Sequence, residues 1–510
     1  MYMNKSTVIL IDPKPVAGGR SPGHIPIALL HLGSYLQSKN TRIVIVDCVA
    51  SEDHEKEILN ILPDALCVGF TCYTTHIPHV QYLIRLIKKN QPGIPVILGG
   101  YHPSLYPENT LQEYGVDYAV VQEGEEVLLR IVRYLKGETS FPDDLPGLAY
   151  KDSSGRIRCT KPERLFDFRT MPPYDYGLIK KEVIRCNRET GNFFPLITSK
   201  GCPYKCAFCI NVVTENIYYR AFPAERVRDE LVRILEMGMK KIWIWDENFY
   251  VSRRRLFELI DLMEKDTIYA ESWSEGRANY FRENYLNPDF LKRMRARGFT
   301  RIGIGCESGS QKMLDYISKE ITTDDITRAA AYLAESGIRL SASFMIGLPG
   351  EEKEDIFATL RMLRSISEIS PRFGITGPSL FRPYPGSELY NECIAAGWKA
   401  PVGFDEWAVF LKRYYTGIPT AHDYPWIKKP YLTNFVHFYT FTAAVSFKNL
   451  TCMLKDYFRL MNLQNKLLFV IMLTGLLGIS ILGKLRLKTG FFYFLFEKKI
   501  FTKYHPNLEY

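Results

Sequence analysis

The chain has 510 residues, of which 46% are hydrophobic and 11 are cysteine, and its formal net charge is +9. This length exceeds one ordinary domain, so we expect about three, and the apolar content excludes a disordered protein. The N-terminus carries no signal-peptide pattern, so we expect reduced thiols and a cytoplasmic protein.

Residues 1–140 alternate short apolar runs with segments of helical spacing. This pattern predicts an α/β domain with a doubly wound, Rossmann-like parallel sheet, whose ligand lies beyond the carboxyl ends of the strands. No GxGxxG motif follows the first strand, which disfavours a dinucleotide. The predicted strands are STVILID (6–12), TRIVIVD (41–47), ALCVGFT (65–71) and IPVILGG (94–100).

Residues 141–193 are rich in turn signals and are predicted to form a linker with a few short strands. From 194 to 400, strands and helices alternate in six βα units. This predicts a partial (β/α)6 barrel of the TIM type, with reactive groups on the loops after the strands. The strand segments are PLITSKG (195–201), KKIWIWDE (240–247), YAESWSEGR (269–277), TRIGIGCES (300–308), RLSASFMIGLPG (339–350) and FGITGPSLF (373–381).

Three cysteines, Cys202, Cys206 and Cys209, lie within GCPYKCAFCI (201–210), directly after the first predicted barrel strand. A structural zinc site needs four ligands, and no second cysteine pair is present. A [4Fe–4S] cluster ordinarily takes four thiolates, so three leave one iron open to a substrate or cofactor. The remaining cysteines are single and are interpreted as buried apolar groups.

The CxxxCxxC pattern, with Phe208 before its last cysteine, resembles that of the radical S-adenosylmethionine (SAM) superfamily. Further segments resemble the strand-end motifs of that family: IWDENF (244–249), GIGCESGS (303–310), FMIGLPGE (344–351) and FRPYPGSELY (381–390). In the family, the open iron binds SAM, and reductive cleavage of SAM produces a 5′-deoxyadenosyl radical.

The resemblance implies SAM contacts at positions that match these motifs. Phe208 would border the adenine, Glu307 would accept hydrogen bonds from the ribose, and Arg277 would pair with the methionine carboxylate, unless it forms a surface ion pair. The family's GGE is replaced here by residues 246–248, which puts any single side-chain role in that motif in doubt. The full set of predicted SAM contacts is Phe208, Glu247, Arg277, Glu307, Ser308, Gly347 and Gly350.

The first domain resembles the cobalamin-binding domain that precedes the barrel in one branch of this superfamily. The matching segments are GGYHPSLYPENTL (99–111) and VDYAVVQEGEE (116–126). The DxHxxG segment is missing, so the lower cobalt ligand is expected to be water or absent. The implied cobalamin contacts are Thr71, Gly99, Gly100, His102, Gly124 and Glu125, although His102 could instead cap its loop.

Residues 401–510 are predicted to form a mainly helical, basic and aromatic region. From 411 to 510, 14 Lys and Arg stand against 4 Asp and Glu. An uncharged run, 467–483, would rise only about 25 Å as a helix, less than the roughly 30 Å of a hydrocarbon core. We favour a helix at the inner membrane face over a buried helix that caps the barrel. Nucleic-acid binding is disfavoured because the charges are scattered.

Together these features predict a cobalamin-dependent radical SAM enzyme. The expected reaction is C-methylation of an unactivated carbon on a hydrophobic or natural-product-like substrate, through the 5′-deoxyadenosyl radical and methylcobalamin. An oxidative cyclase or rearrangement enzyme with the same cofactors is one alternative, and a non-catalytic redox or light sensor is another. The resemblance also implies an electron donor such as flavodoxin or ferredoxin.

Overall fold

The computed structural model describes residues 6–16, 21–162, 166–214, 217–370, 374–416, 424–443 and 485. The chain divides into two compact units, each made of three segments. Unit 1 comprises Met1–Cys202, Val213–Asp246 and Lys399–Pro419. Unit 2 comprises Pro203–Val212, Glu247–Trp398 and Thr420–Tyr510.

A seven-stranded sheet forms the core of the N-terminal part of unit 1. Five strands run parallel in the order β2-β1-β3-β4-β5, and β6 and β7 extend the sheet in antiparallel fashion. Every residue of β1 and β3 is buried, as expected for apolar runs at the centre of a parallel sheet. The strands are β1 (Thr7–Asp12), β2 (Arg42–Asp47), β3 (Ala65–Thr71), β4 (Val96–Gly99), β5 (Tyr118–Val120), β6 (Leu148–Lys151) and β7 (Ile157–Cys159).

Seven helices accompany this part of the chain: α1 (Ile27–Ser38), α2 (His54–Ile61), α3 (Ile77–Asn90), α4 (Tyr101–Leu105), α5 (Pro107–Gln112), α6 (Glu125–Leu135) and α7 (Lys181–Thr190). The predicted doubly wound sheet is therefore present, with its order reversing between β1 and β3. The predicted linker does hold short strands, but it also holds α7, which its turn-rich flanks concealed. The segment directly after β4 is helical and forms α4.

The first predicted barrel strand is divided in two. In unit 1, β8 (Phe194–Leu196) pairs in parallel with β11 (Lys241–Ile244), whereas β9 (Ser199–Lys200) pairs in antiparallel fashion with β10 (Arg220–Ala221). The carboxylate of Asp246 accepts hydrogen bonds from the backbone N–H groups of Thr198 and Ser199, at 2.6 and 3.0 Å. These bonds replace ladder partners and allow the chain to leave the sheet after β8.

Unit 2 contains the parallel strands β12 (Glu271–Gly276), β13 (Phe299–Glu307), β14 (Arg339–Ile346) and β15 (Gly374–Leu380), each paired with the next. On β14 the side chains alternate between buried and half-buried, so one face packs against helices and the other lines the interior. Together with β8 and β11, the region 194–400 holds six parallel strands, as predicted. The α/β fold class is confirmed.

The later helices are α8 (Ile210–Val213), α9 (Ala224–Glu236), α10 (Arg253–Lys265), α11 (Pro288–Ala296), α12 (Gln311–Tyr316), α13 (Thr323–Glu335), α14 (Lys353–Ile369), α15 (Glu388–Ala395), α16 (Gly403–Thr416) and α17 (Pro430–Ala443). Helix α16 belongs to unit 1 and α17 to unit 2, so the expected helical character beyond 400 holds where the structure describes it. The apolar run 467–483 lies outside the described residues. Within the described part of the chain, no helix has both the length and the apolar character to cross a membrane.

Candidate active site

The cysteine loop, residues 203–212 of unit 2, is attached to two neighbouring helices by backbone hydrogen bonds. The N–H of Ala207 donates to the carbonyl of Ile317 at 3.0 Å, just after α12, and its carbonyl accepts from Leu389 in α15 at 3.5 Å. Cys206 is buried, with 6% of its surface exposed, and Cys209 is half-buried. Cys202, the last residue of the first segment of unit 1, is also half-buried. No disulfide joins any of the ten cysteines that the structure describes.

Arg277, at the end of β12, lies against this loop. Its Nη1 is 3.4 Å from the sulfur of Cys206, and its Nη2 donates to the carbonyl of Lys319. The guanidinium carbon is 3.5 Å from the ring centre of Tyr204, so Arg277 makes a cation–π contact with an aromatic residue of the cysteine loop. A buried cation thus lies beside the sulfur of Cys206.

A buried ion pair adjoins this cation. Glu307 ends β13 with φ of +61°, which is uncommon outside glycine, and its Oε1 is 2.7 Å from Nζ of Lys319. Burial lowers the pKa of Lys319, but Glu307 and Cys206 more than offset this effect and hold that pKa above its usual value. A Cβ at Gly305 would overlap both partners, so a larger residue there would require the ion pair to shift. The same ammonium lies 5.7 Å from the ring centre of Phe208.

In the GLPGE loop (347–351), directly after β14, the backbone groups of Gly347 are hydrogen-bonded to side chains of the protein. The N–H of Gly347 donates to Glu351 Oε2 at 2.6 Å, and its carbonyl accepts from Trp426 Nε1 at 2.7 Å. A Cβ on Gly347 would collide with Leu380. Gly350, with φ of +72°, has open space at its Cα instead. Burial raises the pKa of Glu351 to about 8.

In unit 1, the QEGEE segment leads into α6 through a buried carboxylate. Glu125, 2% exposed, accepts hydrogen bonds from His31 Nε2 at 2.8 Å and from Lys200 Nζ at 2.6 Å. Burial alone would raise the pKa of Glu125, but Lys200 and His31 outweigh it and hold that pKa well below its usual value. The second carboxylate oxygen, Oε2, is buried without a hydrogen-bond partner among the described residues.

The GGYH segment begins α4 and turns its histidine inward. Gly100 has φ of +101°, and a Cβ there would lie 3.1 Å from the carbonyl oxygen of Cys72. His102 is fully buried, with its ring centre 5.1 Å from that of Phe404 and 6.4 Å from that of Trp407 in α16. This burial lowers the pKa of His102 to about 3, so the imidazole is neutral.

Two family models match the chain. A model described as the B12 binding domain matches residues 14–132, and the model of the radical SAM superfamily matches residues 196–363. Similarity to an uncharacterised methyltransferase of Pyrococcus horikoshii is 28% identity over 387 residues, covering 75% of this chain and 80% of the relative. The anaerobic magnesium-protoporphyrin IX monomethyl ester cyclase of Rubrivivax gelatinosus is 27% identical over 402 residues, covering 76% and 69%.

The chain therefore combines a B12 binding domain with a radical SAM domain. Among solved structures, it resembles the radical SAM methyltransferase TsrM of Kitasatospora setae, determined with cobalamin and a [4Fe–4S] cluster bound. The TM-score is 0.66 at 18% identity, covering 78% of this chain and 80% of TsrM, so this likeness concerns the fold. The predictions of a radical SAM enzyme and of the cofactors [4Fe–4S], SAM and cobalamin are confirmed by the two family models.

The residues of this cobalamin-dependent radical SAM protein fit a cluster and SAM. Cys206 and Cys209 are free of disulfides and could supply thiolate donors, and the buried guanidinium of Arg277 beside Cys206 would balance the negative charge of a thiolate-bound cluster. Its Nε is buried without a hydrogen-bond partner in the described part of the chain, so a donor remains for an anionic group. Cys202, Cys206 and Cys209 stay our proposed ligands.

Three of the predicted SAM contacts have other roles in the structure. The two terminal nitrogens of Arg277 already have partners in Cys206 and Lys319, so a methionine carboxylate would share these nitrogens with them. Ser308 is fully buried, and its hydroxyl lies 3.2 Å from that of Thr359 in α14. Both backbone polar groups of Gly347 are used within the protein. Phe208, Glu247, Glu307 and Gly350 remain predictions.

The cobalamin predictions divide in the same way. Oε2 of Glu125 keeps an acceptor without a partner among the described residues, and Glu125 remains a predicted cobalamin contact. His102 is enclosed by aromatic side chains, and we no longer propose it as a contact. The positive φ of Gly100 is required by the turn itself. Thr71, Gly99 and Gly124 remain predictions.

Four residues of the site escaped the sequence analysis: Lys200, Tyr204, Lys319 and Trp426. Lys319 lies in YISKE (316–320), which matches no strand-end motif. Trp426 belongs to the region beyond 400, where composition indicated only helices. Tyr204, between the first two cysteines, was the one whose position could have been noticed, since an aromatic face attracts a guanidinium.

Proposed function

We propose that this protein catalyses C-methylation of an unactivated carbon atom on a small-molecule substrate. The observation that carries the proposal is the presence, in one chain, of a B12 binding domain and a three-cysteine radical SAM domain. When bound, the cluster and SAM supply a radical that removes hydrogen, and cobalamin supplies the methyl group. The similarity to a methyltransferase over most of both chains supports this outcome.

The residues of the chain would provide ligands, charge and hydrogen-bond acceptors for the cofactors. Cys202, Cys206 and Cys209 would hold the cluster, and Arg277 would keep a positive charge against it. Glu307, fixed by Lys319, presents a carboxylate at the carboxyl end of β13, where a ribose hydroxyl could donate to it. In unit 1, Glu125 would accept hydrogen bonds from the amide groups of cobalamin.

Oxidative cyclisation is the second candidate, because the cyclase of Rubrivivax gelatinosus matches the chain over a similar length. Both reactions need the same cofactors, so the products decide between them. The test is anaerobic incubation of the reconstituted protein with SAM, methylcobalamin, a reductant and a metabolite extract, followed by untargeted mass spectrometry. A product heavier by one CH₂ unit supports methylation, whereas loss of hydrogen or gain of oxygen supports the cyclase.

A third hypothesis is that the protein is a redox or light sensor that performs no catalysis. The same incubation tests it, because a sensor forms no 5′-deoxyadenosine. Formation of 5′-deoxyadenosine by the wild type, and its loss in Cys206→Ala, supports the enzyme. Cys186→Ala is a matched control, since this half-buried cysteine lies in α7, outside the cysteine loop.

We also propose a protein electron donor such as flavodoxin or ferredoxin, and membrane contact through the segment after α17. A lipid-like substrate is a further possibility suggested only by the basic and aromatic composition of residues 401–510. Because α16 and α17 belong to the two folded units, the truncation that tests membrane contact should follow Ala443. Transfer of the truncated protein from pellet to supernatant supports the contact, and unchanged partitioning contradicts it.

A further inference from the structure

The segment that precedes Cys202 is held by buried polar contacts on both sides. Residues 197–200 follow β8 and include β9, and Lys200 lies two residues before Cys202. At one end, the hydroxyl of Tyr174 donates to the carbonyl of Ile197 at 3.1 Å. At the other end, Nζ of Lys200 is 2.6 Å from Oε1 of Glu125.

The two ends of this segment are connected through one histidine. His31, in α1, lies with Nε2 2.8 Å from Glu125 Oε1 and with Nδ1 3.2 Å from the hydroxyl of Tyr174. The side chains of His31 and Glu125 are 4% and 2% exposed. The ring of Phe168 stacks on that of His31 at 5.5 Å and lies 5.7 Å from the ammonium of Lys200. Lys200, Glu125, His31 and Phe168 thus form a closed ring of contacts, in which each side chain contacts two of the others.

Stability alone does not account for this ion pair. A buried ion pair can usually be exchanged for apolar side chains of similar size without loss of stability, whereas removal of one partner is costly. An apolar exchange loses direction, because a charged hydrogen bond fixes the position of the Lys200 side chain at the start of α6 and an apolar contact does not. Glu125 belongs to the QEGEE segment, which we assign to cobalamin.

We propose that Lys200, Glu125 and His31 are positioning residues that hold Cys202 in a fixed place relative to the start of α6. The inference rests on the proposed role of Cys202 as a cluster ligand. It extends that role, since the first cluster ligand and the cobalamin-binding segment are then tied by one buried contact within unit 1. These residues act through Cys202 and touch no reacting atom.

The experiment compares Lys200→Met with the double variant Lys200→Met/Glu125→Met in the full-length protein. The readouts are the urea midpoint of the apoprotein, the iron bound per chain after anaerobic reconstitution, and the electron paramagnetic resonance spectrum of the reduced cluster. Lys180→Met is the matched control, because its ammonium pairs with Glu57 at 2.6 Å but is half-exposed and remote from the cysteines in sequence.

We expect Lys200→Met to lower both the urea midpoint and the iron content, the latter at least twofold. The double variant should recover the midpoint, since no unpaired charge stays buried, yet keep the low iron content and a broadened spectrum. Lys200→Arg, which keeps the cation, should restore both. If the double variant fails to fold, Lys200→Gln/Glu125→Gln replaces it.

A double variant that recovers iron and spectrum together with its midpoint would overturn the positioning role, and so would a Lys200→Met variant with unchanged iron. Either result leaves the proposed function intact, provided that the wild type binds a cluster that Cys202→Ala loses. A wild type that takes up no cluster would instead overturn the proposed function itself.

Discussion

The guanidinium of Arg277 lies between the sulfur of Cys206 and the ring of Tyr204, with Nη1 3.4 Å from Sγ. A fixed positive charge at this distance stabilises a thiolate and the anionic cluster that it would carry. We therefore expect Arg277→Met to retain several-fold less iron after reconstitution. Iron and sulfide analysis measures this, with the exposed Arg254→Met as the control. Equal iron in the two variants would contradict the role.

Lys319→Met should leave Glu307 as an unpaired, buried carboxylate. Removing one partner of a buried pair costs about 3–5 kcal/mol, so we expect a loss of that order in the free energy of unfolding. Urea unfolding of the apoprotein measures it. Lys312→Met is the control, since its ammonium pairs with Asp355 at 2.8 Å but is mostly exposed. Similar losses in the free energy of unfolding of the two variants would show that burial does not increase the contribution of the Glu307–Lys319 pair to stability.

Trp426→Phe should remove the hydrogen bond to the carbonyl of Gly347 while keeping an aromatic ring. The lost bond is worth about 1 kcal/mol in the free energy of unfolding. The looser GLPGE loop should also weaken SAM binding to the reconstituted protein, measured by equilibrium dialysis. The exposed Trp245→Phe serves as control. Unaltered SAM affinity in Trp426→Phe would separate this tryptophan from the cofactor site.

Glu351 should make the apoprotein less stable as pH rises, whereas a salt-bridged carboxylate makes a protein more stable as pH rises. Its folded pKa of about 8 lies above the ordinary value, so the folded state holds a proton that the unfolded state releases. Its contribution is full below about pH 4.5 and is lost as pH rises toward 8, by at most about 1.4 kcal/mol per pH unit.

We therefore expect Glu351→Gln to flatten the decline of the urea midpoint between pH 6 and pH 8, two values chosen to lie roughly within this window. Glu354→Gln, an exposed neighbour at the start of α14, should reproduce the wild-type slope. A wild-type slope in Glu351→Gln would show that another group carries the dependence.

His102→Leu tests the revised role of this histidine. Because the imidazole is enclosed by Phe404 and Trp407, a leucine of similar size should leave cobalamin affinity unchanged. Absorbance titration of the protein with hydroxocobalamin measures the affinity. A tenfold weaker binding by a folded His102→Leu protein would restore His102 as a cobalamin contact.

The fold was predictable where the local sequence alone determines the secondary structure. The runs ALCVGFT and RIVIVD are long, apolar and rich in β-branched residues, and β3 and β2 begin and end within a residue of their prediction. The division of PLITSKG could not be predicted, because Asp246, far away in sequence, draws Thr198 and Ser199 out of the sheet. Strand-end motifs located the site, but side-chain partners such as Lys319 arise only from tertiary packing.

His102 illustrates the limit most clearly. Its sequence context, GGYH at a strand end, is that of a ligand-binding turn, and the turn is present with Gly100 at positive φ. The residues that enclose the imidazole are Phe404 and Trp407, about 300 positions later in the chain. No local pattern reveals that such a distant helix returns to cover it.

The return of α16 to unit 1 has a consequence for biosynthesis. While the ribosome is still making the barrel region, the surface of unit 1 around His102 and Tyr106 lacks Phe404 and Trp407, and apolar groups there face water. Domains generally fold as the nascent chain emerges, N-terminal ones first. Here unit 1 cannot be completed until α16, which ends at Thr416 of 510 residues, has been translated, so premature termination within the barrel would leave both units unfinished.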